Sequence, residues 1–443
     1  MPHIHTISPV EVFKNRRQIL KNPLPFHRDN FEKYGDMFRV KPPFGKPALF
    51  TRDRAVIKHV LQKNHRSYEK STLQSVEMAR YIGKGILTST GDHWRTHRRM
   101  IQPAFHREKL QALLEVMETT IETELEKIAP GVTTDIFPLM GDLAFQVVAR
   151  GLFSRHDLGD RMQELKDITE RNQKMLIGEM RQPYLKWWFR LSGRIRNHLR
   201  YSERSRRILN AIIEERLQLG TEKDDLLDML LKAQYEDGSP MSRTQLIDEV
   251  LILFAAGHET TANALSFVLF LLARHPAIQE KAFREAYACR AEPSRLLRVG
   301  EKSYIQCCIE EAMRLYPPVY VIDREALAND VIGDIKIPKG TLILMSIFEL
   351  HRSELFWSDP DVFRPERFTP GETRERSDYY YPFGAGPRKC VGNNFAMYEM
   401  MLTLVMILRS YKLETSLETL DIHPLISLKP GRVPVKFVSR SLP

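Results

Sequence analysis

The chain has 443 residues, of which 43% are hydrophobic and 28% charged, with a net charge of +10 at pH 7. That balance excludes a disordered or fibrous chain and one built mainly of membrane spans, and it leaves ample apolar material for a large core. Four cysteines without a Cys-x-x-Cys pair fit a reducing compartment and argue against zinc or a dithiol centre. The positive charge suits nucleic acid, an anionic surface or an acidic protein partner, or is simply solvated; no nucleic-acid motif accompanies it. No linker, repeat or low-complexity run divides the sequence, so residues 1–443 are expected to form a single domain and a monomer.

The N-terminal residues Met1-Pro2-His3-Ile4-His5 open neither the apolar core of a signal peptide nor an anchor helix, so a soluble, cytoplasmic protein is expected. A short helix at 29–34, strands at Met37–Val40 and Ala48–Thr51 and a helix from Arg52 come next. The polar, glycine-containing connection 66–91 has little periodicity and reads as a binding loop or lid. Beyond it, Trp94 and Arg98 are spaced i, i+4, so on a helix an indole N–H and a guanidinium share one face. Taken alone, this reads more simply as a solvated basic helix. Residues 108–236 alternate helical patterns with breaks at Pro130-Gly131, Gly159 and Gly220. The aromatic and basic run around Trp187, Trp188 and Arg190 is an ordinary amphipathic helix, or else a membrane contact or the roof of a substrate entrance.

An apolar pattern over 242–275, with Pro276 just beyond, predicts one long helix through the centre of the molecule. Its middle reads Ala256-Gly257-His258-Glu259-Thr260-Thr261. Glycine followed by two threonines is poor helix material, which predicts a loosened or bulged turn where a flat ligand can approach the backbone. Glu259 and Thr260 place an acid beside a hydroxyl, a pair able to pass protons, although threonines bonding back to carbonyls explain the same residues structurally. A helix over 301–316 carries Glu311 and Arg314 on one face, and Pro365-Glu366-Arg367-Phe368 supplies a second arginine; together they can form a buried Arg–Glu–Arg buttress. Strand-like segments follow at 319–322, 331–337 and 341–345, with Cys307 and Cys308 read as packing residues.

Near the C-terminus stands Phe383-Gly384-Ala385-Gly386-Pro387-Arg388-Lys389-Cys390-Val391-Gly392, just before a helical pattern. The glycines let the loop fold tightly, while Arg388, Lys389 and the following helix N-terminus favour the Cys390 thiolate, a soft ligand suited to haem iron. The spacing Phe-x-x-Gly-x-Arg-x-Cys-x-Gly has a chance probability on the order of 10⁻⁴ or less.

This loop resembles the cysteine-ligand loop of the cytochrome P450 family, and Ala-Gly-His-Glu-Thr-Thr resembles that family's oxygen-activating segment. The resemblance runs in order along nearly the whole chain. It implies a mainly α-helical cytochrome P450 fold with a small β region, and heme b (iron protoporphyrin IX) between the long central helix and the cysteine loop. Cys390 is then the metal ligand, with Phe383, Gly384 and Gly392 shaping its loop. Trp94, Arg98, Arg324 and Arg388 pair with propionates, His351 resembles a family position near a propionate and His97 is a lesser candidate, while Thr260, Glu259, Gly257 and Ala256 form the catalytic segment. Asp323 stands where related sequences often have proline. Glu311, Arg314 and Arg367 are structural.

The implied activity is a monooxygenase of the soluble, bacterial type, with no fused reductase and with electrons from a ferredoxin or flavodoxin plus an NAD(P)H-dependent reductase. Lys389 is a candidate contact for that donor. Substrates expected from the pattern are a fatty acid or terpenoid-like molecule for hydroxylation, or a methyl ether such as a methylated sugar for O-demethylation. Pocket residues are expected from 71–86, 255–260 and 319–322, among which Gln74, Ser75, Glu77, Arg80 and Tyr81 suit a polar ligand. A haem-thiolate peroxygenase or isomerase and a non-enzymatic haem sensor are the alternatives.

Overall fold

The computed structural model describes residues 4–41, 47–154, 159–220, 223, 225–289, 302–370 and 374–440. Met1 to His3 of the N-terminal reading and Glu301 of the 301–316 helix lie outside them. The central element is the helix Arg243–Arg274, capped by the Ser242 hydroxyl, which accepts from Gln245 N at 3.3 Å. Its sequence is apolar on nearly every face, so it is buried on nearly every face. Pro276 cannot extend the hydrogen-bond ladder and instead opens the next helix, Pro276–Ala288.

Around this rod pack the helices Ile136–Phe153, Tyr304–Leu315 and Asn393–Ser410, with Leu114–Leu125 against the first and last of these, through one core that includes Phe145, Phe254, Leu265, Met313 and Val405. Each such fully buried side chain contributes roughly 1.5–3 kcal/mol. Cys307 and Cys308 are buried on Tyr304–Leu315, and burial pushes the Cys307 thiol up to about 11, consistent with packing roles.

The β region is small and sits to one side. Its main sheet has the order Thr6–Ile7, Met37–Val40, Ala48–Thr51, Leu342–Ser346, Val321–Ala326, Tyr68–Glu69. Leu49, Ile343 and Met345 face a second core with Trp357, Phe368 and Tyr381. The strand expected at 319–322 lies later, because Tyr320 O is already occupied by Ile347 N and Phe348 N at 3.0 and 3.1 Å. The segment 331–337 is a hairpin, Asp330–Ile332 against Ile335–Ile337.

Residues 66–91 are an anchored segment. Tyr68–Glu69 pairs with Val321–Ala326, and Leu73–Met78 and Ala79–Ile82 are helical. Farther on, Lys84 N and Ile86 N each donate at 2.8 Å to the Asp248 and Glu249 carboxylates of the central helix. Two buried acids in the second turn of that helix therefore fix the loop that crosses it.

Candidate active site

The cysteine loop is closed by its own backbone. Cys390 N donates to Phe383 O at 2.9 Å, Lys389 N to Gly386 O at 3.0 Å and Gly384 N to Tyr381 O at 3.0 Å. Gly386 has φ +67°, and a Cβ there would overlap the Leu61 carbonyl oxygen, so only glycine lets the loop lie against the 59–63 turn. Gly392 caps Asn393–Ser410, which sets Cys390 two residues before the N-cap of a helix. Cys390 sits deep in the protein, yet its side chain still meets open space. Burial pushes its thiol above the ordinary value; the Gly392 N–H, Arg98 and Lys389 pull the other way and do not win. Neighbouring charge thus works toward the thiolate against burial, and a metal ion held there would favour the deprotonated sulfur further.

Behind the loop, Glu311 takes both arginines. Arg314 donates to its two oxygens at 2.7 and 2.8 Å and Arg367 to Oε1 at 3.2 Å, all three being buried. Arg314 also donates to the carbonyls of His351 and Pro360 at 2.8 and 2.6 Å, so the cluster fixes backbone as well as charge. His351 belongs to this buttress, which corrects its assignment to a propionate. Its Nε2 accepts from Tyr381 N at 2.8 Å, and burial, with Arg314 and Arg352, lowers its pKa to about 3. It is a neutral brace beneath the loop.

On the central helix, the expected bulge is absent: Arg243–Arg274 is continuous α-helix through Gly257. Thr260 Oγ1 donates to Ala256 O at 2.9 Å and Thr261 Oγ1 to Gly257 O at 3.1 Å, which keeps the turn satisfied. A Cβ on Gly257 would meet Val148 Cγ2 at 3.1 Å, so this glycine serves close packing against Ile136–Phe153 rather than approach to a cofactor. The open positions are Ala256, which is exposed, and Thr260, four residues on along the same face, in a stretch otherwise largely buried. Glu259 is buried and held elsewhere: Ser427 Oγ donates to Oε1 and Lys429 Nζ lies 3.1 Å from Oε2.

The third part is a cleft of about 240 Å³ whose walls include Trp94, Arg95, Arg324, Arg388, Arg66 and Glu69. Arg388 stacks 4.0 Å over the Trp94 ring and donates to Ser89 O at 3.0 Å; Arg324 donates to Asp323 O at 2.7 Å. Arg98 reaches Lys389 O at 2.8 Å, tying Gly91–Ile101 to the cysteine loop. Burial and neighbouring Arg324 lower Arg388 to about 10, and burial lowers Arg324 and Arg98. Cations crowded together at this depth call for an anion. His97 faces away: its Nδ1 lies 3.0 Å from Glu249 Oε1 and its Nε2 3.3 Å from Tyr235 OH. That network braces the helix and corrects its placement at the cofactor.

A deep sulfur beside open space, an open Ala256–Thr260 face and a cation-lined cleft fit a flat, dianionic metal macrocycle. The sequence model of the cytochrome P450 family matches residues 5–437. The chain belongs to the cytochrome P450 family. Similar proteins include probable cytochrome P450 4s3 of Drosophila melanogaster, 30% identical over 413 residues that cover 86% of this chain and 80% of that one. Cytochrome P450 4V2 of Mus musculus is 28% identical over 86% of this chain and 79% of its own length. Putative cytochrome P450 132 of Mycobacterium tuberculosis is 32% identical over 78% and 77%.

This P450 is accordingly an oxidoreductase of the monooxygenase class, with heme b bound through a cysteine thiolate and electrons taken from a redox partner. Its relatives come from animals, plants and bacteria alike, so the bacterial type expected from the sequence narrows to the family as a whole. Among the described residues one single helix, Ile136–Phe153, is long and apolar enough to cross a membrane, and most of it is buried inside the fold. Sequence reasoning missed Ser427, Lys429, Asp248 and Glu249. Two of these lie on the central helix itself, where a charged pair inside an apolar run was the available signal.

Proposed function

We propose that this P450 hydroxylates an apolar substrate of the fatty-acid or terpenoid class. The observation that carries the reading is the fate of the polar side chains expected to recognise a ligand. Gln74 and Ser71 both donate to Asp323, and Ser75 Oγ donates to Ser71 O at 3.0 Å. Arg80 donates to Glu77 and to Glu179 at 2.9 Å; Tyr81 donates to Glu179, and Lys186 to Glu77. These groups satisfy one another, which leaves apolar surface to the substrate and disfavours a methylated sugar and its O-demethylation. Within 71–82, the one side-chain atom buried without a hydrogen-bond partner among the described residues is Arg80 Nε, enough to meet a single polar end.

The haem, when bound, supplies the oxidising chemistry, activating dioxygen and inserting one of its atoms into a C–H bond. Cys390 would hold it through its sulfur, and Trp94, Arg98, Arg324 and Arg388 would hold its carboxylates. Ala256 leaves open space beside the central helix. The Thr260 hydroxyl, bonded to Ala256 O at rest, can rotate and offer its proton to the pocket. Glu259, clamped by Ser427 and Lys429, stands one step behind as a carboxylate that can pass protons to this path. Electrons come from a separate acidic carrier, a ferredoxin or flavodoxin served by an NAD(P)H-dependent reductase, which meets the exposed Lys389; the protein works as a cytoplasmic monomer.

The test is a panel of fatty acids, terpenoids and methylated sugars read by the shift of the haem absorption band, followed by product analysis with NADPH and a ferredoxin system. Shifts confined to sugars would overturn the substrate class. Full turnover with hydrogen peroxide alone, and none with the electron donor, would favour a peroxygenase.

A further inference from the structure

We propose that Lys70 is a further cofactor-binding residue, its ammonium donating to a haem propionate beside Arg324 and Arg388. The inference rests on the assignment of the cation-lined cleft to the propionates. It starts from strand register. Tyr68 pairs with Ala326 and Glu69 with Glu325 in an antiparallel ladder; carried one residue past the strand's end, that register brings Lys70 opposite Arg324, whose charge it feels. Residues directly opposite in such a pair share a face with Cβ atoms about 4.5–5.5 Å apart, and like charges there repel.

The surroundings do not relieve that repulsion. Lys70 Nζ donates to Leu87 O, while Arg388 Nη1 donates to Ser89 O at 3.0 Å, so two cations converge on carbonyls two residues apart. Arg324 turns to the carbonyl of its own neighbour, Asp323, at 2.7 Å. The carboxylate of Asp323, on the next strand position, already accepts from Ser71 and Gln74, and Glu69 accepts from Gly91 N at 2.9 Å. Thus Lys70, Arg324 and Arg388 rest on neutral oxygens although all three are basic and deep in the protein.

Lys70 also retains partial exposure despite its depth, as expected of a wall of the cofactor cavity rather than of a packed interior. Burial, followed by Arg324 and Arg388, lowers its pKa to about 7, with Asp323 acting in the opposite sense. A carboxylate placed between the opposed cations removes both penalties at once, and a lysine is the side chain whose charge such a ligand restores.

The test uses holoenzyme. Wild type, Lys70→Met, Lys70→Arg and Arg324→Met are each mixed with excess apomyoglobin, haem transfer is timed, and midpoint potentials are measured in parallel. Loss of one charge-assisted hydrogen bond predicts about tenfold faster haem release from Lys70→Met. Its potential should become more negative, since a cation no longer offsets the added electron. Lys70→Arg should stay within about twofold of wild type. Wild-type release and potential in Lys70→Met, or equal losses in Lys70→Arg and Lys70→Met, would overturn the proposal; if Lys70→Met does not accumulate folded protein, Lys70→Gln takes its place. Faster release from Arg324→Met alone would refute Lys70 and keep the cleft as the propionate site, whereas no effect of either variant would remove the cleft assignment itself.

Discussion

The two sides of the haem site are held by different means. On the cysteine side the backbone does the holding: carbonyls of Phe383, Gly386 and Tyr381 close the loop, and Arg314 bonds the carbonyls of His351 and Pro360. On the side of the central helix the helix itself is regular, and distant side chains set the chemistry. Ser427 and Lys429, from a C-terminal hairpin, take hold of Glu259, and Asp323 takes hold of Ser71 and Gln74. A loop built on backbone bonds tolerates few residue types and so keeps a fixed spacing. A face built on side-chain clamps can change its lining residue by residue without changing the frame.

The comparison is broken most severely at the sulfur. Cys390→Ser should abolish the thiolate-type band of the reduced carbon monoxide complex, because no other soft ligand occupies the loop. A retained band would show that the ligand is another residue. Next in size, Glu311→Ala leaves Arg314 and Arg367 buried without their carboxylate, which predicts a loss of about 3–5 kcal/mol in chemical unfolding. A change below about 1 kcal/mol would mean that the carbonyl bonds of the arginines suffice by themselves.

On the opposite side the effects should fall on chemistry more than on stability. Thr260→Ala is expected to keep haem and fold while product per electron drops about tenfold or more and peroxide rises, since a positioned proton donor contributes on this scale. Ser427→Ala, which removes one of the two clamps on Glu259, should give the same signature at smaller amplitude. Undiminished coupling in both variants would move the proton path to other groups.

A pH dependence marks the cysteine side alone. The pKa of His351 is lowered to about 3 in the folded protein, against about 6.5 for an ordinary histidine, so the unfolded chain takes up the proton first. Its contribution to stability is fully present above about pH 6.5 and falls as pH drops toward 3, by up to about 1.4 kcal/mol per unit. Denaturant titrations at pH 7, 5.5 and 4.5 should show a flatter profile for His351→Gln than for the wild type. Parallel profiles would remove His351 as the titrating brace.

Much of the cysteine side was legible because its determinants are local. Gly386, Arg388 and Cys390 are bound to one another through chain geometry, and Glu311 with Arg314 is a helix-spaced pair. Residues such as His97 and His351 were legible only as polar groups near the right motifs. Which way each ring points depends on Glu249 and Tyr235 in one case and on Tyr381 in the other, partners 30 to more than 130 residues away in sequence. Gly257 illustrates the same limit: its small size was readable, but whether the space belongs to a cofactor or to Val148 depends on which neighbour lies across it.

By itself, then, the sequence determined the class of chemistry, since a glycine-punctuated cysteine loop, an acid–alcohol turn and an Arg–Glu–Arg set are short-range patterns that survive in one dimension. Only the tertiary structure decided the burial of Cys390, the engagement of Glu259 and the crowding of Lys70 against Arg324. Burial and long-range charge pairing act through space, and no spacing along the chain encodes them.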